Sequence, residues 1–303
     1  MIKFQRVNRV GEYWKRKYGD KTYKLIFKGN FTCPNIDGTL SDQGCIYCNM
    51  RSLEPLIDNS NIEEHIKYLE NRNNAKLFYA FFQDYSSTYP IHSIKNKYDY
   101  LKEIYTNSID NEKIVGISVS TRPDCIDNKI LDILSELNKD VIIELGLQTT
   151  NVNDITWMNR GHANDRFIES VELIKSYGFE VVTHMILGLP EENDNTIIAN
   201  AKFLNDLKIH GIKFHQLMVL KNTKLENLYN NSEINILSIE EYFRRVSLFL
   251  SYLNKDIVVH RLYGDAPKKD LIAPKWCINK TGTQDKLFNY LEEHNICQGC
   301  NII

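Results

Sequence analysis

Short apolar runs with strand character alternate with helix-period segments along nearly the whole chain, and no other feature restricts the fold as much. Strands are read at Thr22–Lys28, Lys76–Phe82, Lys113–Ser120, Val141–Leu147, Glu180–Leu187 and Ile212–Leu220, with a short one at Asp256–His260. The first helix opens at the Ser60/Glu63 capping box and runs to about Asn71. Others are read over 94–107, after the cap at Asp127, over 164–177 and over Asp194–Leu207. A second capping box at Ser238/Glu241 starts another, and the last covers Thr283–His294. Alternation at this spacing means parallel strands joined by helical crossovers. Six such units plus a seventh strand suit an α/β fold, a partial (β/α)6 TIM-like barrel; a doubly wound flat sheet is the alternative. The 303 residues suffice for a large core. The chain divides into a basic N-terminal arm over 1–21, the partial barrel over 22–280, and a C-terminal extension over 281–303.

Alternation within the strands says which way they face. Val115, Ile117 and Val119 oppose Gly116, Ser118 and Ser120, and Ile143, Leu145 and Leu147 oppose Glu144, Gly146 and Gln148. The apolar faces suit a helix layer, so the small and polar ones look inward. A packed barrel interior favours bulky apolar residues, so this one reads as the wall of a polar ligand cavity. Ligands in parallel α/β folds sit at the carboxyl ends of the strands, where Gln83, Ser120, Gln148 and the Gly188-Leu189-Pro190 turn fall. The plainer reading has Glu144 paired with a buried Lys or Arg.

Cys33, Cys45 and Cys48 follow the first strand within sixteen residues, the last two as C-x-x-C. A structural zinc site is normally closed by four protein ligands, and a fourth thiolate is missing nearby. Three thiolates with a coordination position left over point instead to an open iron–sulfur cluster.

No apolar run approaches the roughly 20 residues needed to cross a bilayer, and with charges where a signal peptide needs an uninterrupted apolar stretch, none is expected at the N-terminus. A cytoplasmic location is expected, where seven cysteines favour metal or catalytic roles over disulfides. The formal net charge of -2 does not announce a nucleic-acid binder. Residues 1–30 nevertheless hold nine Lys/Arg against Glu12 and Asp20, interleaved with Tyr13, Trp14, Tyr18 and Tyr23. Such an arm can grip phosphates and stack bases, or simply be a solvated segment with a few anchoring aromatics.

With these residues in hand, the chain resembles the radical S-adenosylmethionine (SAM) superfamily, in particular its YhcC/YtqA-like group, related to the catalytic subunit of Elongator. The resemblance covers about residues 20 to 280. It rests on Phe31-Thr32-Cys33-Pro34-Asn35, Gly44-Cys45-Ile46-Tyr47-Cys48-Asn49, Phe81-Phe82-Gln83 and Glu144-Leu145-Gly146-Leu147-Gln148-Thr149. Asn159-Arg160-Gly161-His162, His184 to Pro190, Lys213 to Leu217 and His260 to Asp265 extend it. The superfamily more often spaces its cysteines C-x3-C-x2-C; here eleven residues separate the first two, as in this group.

The resemblance implies a [4Fe–4S] cluster held by Cys33, Cys45 and Cys48, with SAM chelating the fourth iron. One-electron reduction then splits SAM into methionine and a 5′-deoxyadenosyl radical, which abstracts a hydrogen from substrate. It also implies Tyr47 near the adenine, Glu144 and Gln148 on the strand contacting the ribose and amino acid part, and Met185 to Pro190, with Gly188, under the adenine. Gln83 and Ser120 lie at the same rim, and Arg160 is matched to the SAM carboxylate, which a guanidinium fork suits. The implied substrate is tRNA, at a wobble-uridine side chain, with a one-electron donor such as flavodoxin or ferredoxin and no membrane. With the chain ending at Ile303, acetyl transfer of the Elongator kind is not expected. A small metabolite or a protein is the alternative substrate, and a zinc-stabilised binding module without catalysis the alternative class.

Cys297 and Cys300 form a second C-x-x-C, read either as ligands of a second metal with His294 or Cys277, as a redox pair, or as thiols on a loose tail. Cys125 reads as a packed or surface thiol. His184, His215 and His260 read as hydrogen-bonded core histidines or as proton-transfer groups. Asp265, Lys268 and Lys269 are placed to meet a substrate.

Overall fold

The computed structural model describes residues 6–49 and 61–302. The chain opens with α1 (Val10–Tyr18), β1 (Thr22–Phe27), α2 (Ile62–Asn73), β2 (Leu77–Phe82), α3 (Lys97–Ser108) and β3 (Ile114–Thr121). It continues through α4 (Asn128–Ser135), β4 (Asp140–Gln148), α5 (Val152–Trp157), α6 (Asn164–Ser176), β5 (Glu180–Leu187) and α7 (Asp194–Asp206). The last part holds β6 (Gly211–Gln216), β7 (Val219–Leu220), α8 (Lys224–Asn230), α9 (Ile239–Tyr252), β8 (Val258–Arg261), β9 (Leu271–Ala273) and α10 (Lys280–Glu293).

Seven strands form one parallel sheet in the order β1-β2-β3-β4-β5-β6-β8. A doubly wound sheet reverses its strand order at a switch point. This order runs straight through, so the sheet curls one way into a half-barrel with its helices outside. Ile117, Val119, Ile143, Leu145 and Leu147 point into the outer helix-packed core, as the alternation required. Val115 does not. The β2/β3 register slips between Phe78 and Tyr79, and the extra residue sends Val115 to the inner side.

The arm is not extended. Val10, Trp14 and Tyr18 recur at helical spacing, and α1 lies under the amino ends of the strands. Trp14 is 3% exposed and stacks on Tyr79 at 4.8 Å, with its edge toward His260. Tyr13 and Lys17 bond Glu180 at 2.8 and 2.9 Å, and Tyr18 donates to Asp140. Asp140 and Glu180 are the first residues of β4 and β5, so α1 closes that end of the barrel. Among the arm's aromatics, Tyr13, Trp14 and Tyr18 are therefore occupied within the protein.

Two elements differ from the sequence reading for visible reasons. The strand read over Ile212–Leu220 ends at Gln216, because the Gln216 amide exchanges two 2.9 Å hydrogen bonds with the Gly264 backbone. The chain then leaves the sheet, and β7 pairs antiparallel with β9 instead. At α9, Ser238 accepts from the Glu241 amide at 3.2 Å, but the Glu241 carboxylate turns to Arg244 and Arg245, leaving half a capping box. Asp127 caps α4 as expected, at 3.0 Å from the Ile130 amide. Ser60 of the first box lies outside the described residues.

Candidate active site at the carboxyl ends of the strands

The cysteine loop is anchored along its length to the turn after α5. Asn35 donates to Asn159 O at 2.7 Å and accepts on its carbonyl from Gly44 N at 2.6 Å, while Asn159 returns a 2.8 Å bond to Gly44 O. Ile46 N bonds Met158 O at 3.1 Å, and Leu225 N bonds Ile46 O at 2.9 Å. Gly161 stands at φ 77, and a Cβ there would meet Asn35 Oδ1 at 2.8 Å. None of the described cysteines is in a disulfide. The Asn35 amide reaches Cys45 Sγ at 3.6 Å. Burial pushes the Cys33 and Cys45 thiols up while Arg122 pulls both down.

Arg160, matched by resemblance to the SAM carboxylate, lines the cavity, and its donors are taken up by the protein. A guanidinium has five N–H donors. Here they go to Leu147 O, Thr149 O, twice to His162 O, and to Asn164 Oδ1, and the residue is 1% exposed. Arg160 is thus a brace tying the end of β4 to the turn that holds the cysteine loop. Arg122, which the sequence reading passed over, sits beside it. Its fork takes Asp124 at 2.8 and 2.7 Å, its third nitrogen bonds Arg160 O at 2.8 Å, and it faces the cavity. Its position one residue past a strand end in Arg122-Pro123-Asp124 was the available signal.

The cavity inside the half-barrel measures about 320 Å³, within the usual range for a small-ligand site. Cys45, Tyr47 and Cys48 form one wall, and Gln83, Ser120, Glu144 and Gln148 contribute from β2, β3 and β4. Gln148 has a left-handed backbone (φ 63), and its amide folds over Gly146, filling the space a Cβ would take. Its Oε1 is buried without a partner. Tyr47 has its phenol pushed well above the usual range by burial and by Cys45 and Cys48.

Two residues of the expected set do not present side chains there. Met185 is fully buried in the outer core, because β5 alternation gives the cavity to His184 and Ile186. Gly188 makes a turn at φ 97 and donates its amide to Glu192 at 2.8 Å. Both can serve a ligand only through their backbone.

Glu144 is the hub of the floor. Its carboxylate accepts from Ser118 at 2.8 Å, Ser120 at 3.2 Å, Lys24 and Lys213, and meets His184 Nε2 at 2.8 Å. The plainer reading of Glu144 is therefore realised, with two lysines. Burial alone would raise this carboxyl, but Lys213 and Lys24 outweigh it and hold it well below the usual range. Burial brings His184 down to about 4, so the imidazole is neutral near pH 7 and donates to Glu144. His215 lies 5.5 Å from His184, ring to ring, with its Nε2 buried and unpartnered. Neither Lys24 nor Lys213 is read as a site residue from the sequence: Lys24 is one of nine cations of the basic segment, and Lys213 only opens one of the resembling stretches.

The second C-x-x-C is at the other end of the molecule. Its turn is docked rather than loose: Gln298 bonds Arg6 O, Asn8 N, Asn254 O and Ile257 O, and Gly299 N bonds Leu250 O. These contacts lie before β8 and at the end of α9, so Cys297 and Cys300 do not reach the first cysteine loop. Cys125 is a buried thiol.

Among the described residues no three His, Cys, Asp or Glu converge tightly enough for a single metal ion. A four-iron cluster is wider than one ion and takes thiolates further apart. Three thiols on one braced loop, two of them in the cavity wall, with an amide aimed at one sulfur and an orphaned Gln148 oxygen across the space, fit a cluster with a bound organic ligand. A model of the radical SAM superfamily matches residues 41–204, more than half of the chain, and one of the Radical_SAM C-terminal domain matches 209–293. The chain belongs to the radical SAM superfamily. It is an enzyme of that family, whose members use a [4Fe–4S] cluster and SAM. Protein YhcC of Escherichia coli K12 is 31% identical over 295 residues, covering 96% of this chain and 94% of that one. The tRNA uridine(34) acetyltransferase of Methanocaldococcus jannaschii is 24% identical over 197 residues, 64% of this chain and 36% of that protein. Among solved structures, the archaeal Methanocaldococcus infernus Elp3 superposes with a TM-score of 0.67 at 17% identity, over 91% of this chain and 64% of that one. That likeness concerns the fold.

Proposed function

We propose that this radical SAM enzyme modifies tRNA at a wobble uridine, with Cys33, Cys45 and Cys48 holding its cluster. The observation that carries the chemistry is the braced three-thiol loop facing a cavity whose floor holds the Glu144 carboxylate and its partners. The RNA substrate is supported by the sequence shared with a tRNA uridine(34) acetyltransferase. The arm supports it less than its composition promised, because three of its rings are used internally; the exposed Lys15 and Arg16 remain available for phosphates. A [4Fe–4S] cluster held by Cys33, Cys45 and Cys48 would supply the one-electron reduction on which SAM cleavage depends.

This chain's own residues position and shelter that chemistry. Asn35 and Asn159 fix the thiol loop, and Gln148 with the wall at Tyr47 orients SAM. The Glu144, Lys24 and Lys213 group keeps the floor polar, and α1 shuts water out from below. A cytoplasmic setting with a flavodoxin- or ferredoxin-class electron donor belongs to the same proposal. Among the described residues no helix is long and apolar enough to cross a membrane.

Anaerobically reconstituted protein should contain about four irons per chain and form 5′-deoxyadenosine from SAM and dithionite. Alanine at Cys33, Cys45 or Cys48 should abolish both. Retained cleavage would overturn the ligand set. Nucleosides of tRNA from cells with and without the gene should differ at one uridine; identical profiles would remove the RNA part.

A further inference from the structure

The seventh strand ends the sheet, and its outer edge is covered by the segment entering α1: Val259 N bonds Asn8 O at 2.7 Å. Where this segment, β8 and the start of α10 meet there is a second cavity of about 240 Å³. Arg9, Arg261 and Lys280 line it against one carboxylate, Asp265. Asp265 is ion-paired to Lys280 and stands 3.9 Å from Arg261, so a single negative charge faces three positive ones. Arg9 lies over the Phe288 ring at 5.1 Å, a cation–π contact that restricts its guanidinium. His260 lines the same space, with its ring packed against Trp14 and Gly211. The first turn of α1, at Val10 and Gly11, borders the cavity as well, and Arg9 gives it no side-chain cap. Arg261 and Asp265 also line the main cavity and so form the partition between the two.

An excess of fixed cations, two of them able to present forked N–H groups, suits a tetrahedral oxyanion. We propose that this second cavity binds a phosphate group of the substrate, while the part to be modified enters the main cavity past Arg261. The owner of the phosphate, a polynucleotide, rests on the functional reading above; the phosphate site itself does not.

The test uses the full chain with uridine, uridine 5′-monophosphate, inorganic phosphate and tRNA as probes, comparing wild type with Arg9→Gln and Lys280→Gln. Neither residue lines the main cavity, so cleavage of SAM without substrate should be unchanged and reports an intact fold. The monophosphate should bind wild type more tightly than uridine, inorganic phosphate should compete with it, and each variant should weaken it roughly tenfold. For tRNA, each variant should reduce the slope of log affinity against log salt by about 1. Phosphate binding that depends on Arg9 and Lys280 without tRNA binding upholds the site and removes the RNA reading. Binding of tRNA with unchanged affinity and slope in both variants overturns the site and leaves the RNA reading. Failure of every phosphate-bearing probe, or loss of SAM cleavage in step with phosphate binding, also overturns the site.

Discussion

Arg160 and Glu144 are both buried charged residues of one strand-and-turn system, yet they answer to different tests. All five Arg160 donors end on protein oxygens, so Arg160→Leu orphans carbonyls at Thr149 and His162 and leaves Leu147 O with the Thr149 amide alone. It should lower unfolding stability by about 2–4 kcal/mol and reduce iron retention. A variant of unchanged stability that lost only SAM affinity would restore the carboxylate-fork role. Glu144→Gln strips the charge from a carboxylate facing two lysines and should cost about 3–5 kcal/mol near neutrality, read by denaturant titration. Because the folded carboxyl titrates well below its ordinary 4.5, its stabilisation is complete above that value and fades as pH falls through the folded value. The gap between wild type and variant should therefore narrow in acid; a constant gap would mean Glu144 acts by shape alone. Sequence alternation could turn Glu144 inward but could not show its partners, because Lys24 and Lys213 come from strands 120 and 69 residues away.

At the scale of elements, alternation was legible wherever an unbroken ladder enforces it, as in β4, and failed at a bulge, as at Val115 in β3. The helix of the arm shows the same limit from the other side. Its stripe of Val10, Trp14 and Tyr18 has helical spacing, but the dense positive charge around it leaves a phosphate-gripping arm and a solvated segment with anchoring aromatics equally open. Packing decided the matter: the stripe covers the amino ends of β4 and β5. Trp14→Ala should cost about 3–5 kcal/mol, measured by chemical denaturation, and should admit water to the floor beneath Glu144. Unchanged stability would mean that α1 is only draped on the barrel. The strand read through Leu220 ended early because Gln216 spends its amide on the backbone of Gly264, a contact across 48 residues that no local pattern carries.

The whole molecule has a closed end and an open one, and this polarity separates its two C-x-x-C pairs. Cys45 and Cys48 stand at the carboxyl ends of the strands beside the cavity. Cys297 and Cys300 belong to a turn pinned to Arg6, Asn8, Leu250 and Ser251 on the side where α1 seals the barrel. Their spacing alone could not tell these situations apart, since it sets a local turn and not its place in the fold. The buried Gln298 between them holds that turn through both ends of its amide and is 8% exposed. Gln298→Ala should thus loosen the tail and the segment before α1 together, whereas serine at both cysteines leaves those hydrogen bonds in place. The double serine variant should keep wild-type iron content per chain and wild-type 5′-deoxyadenosine formation. A fall in iron with retained cleavage would reveal a second metal group at the closed end. Loss of both would place these thiols in the service of the first.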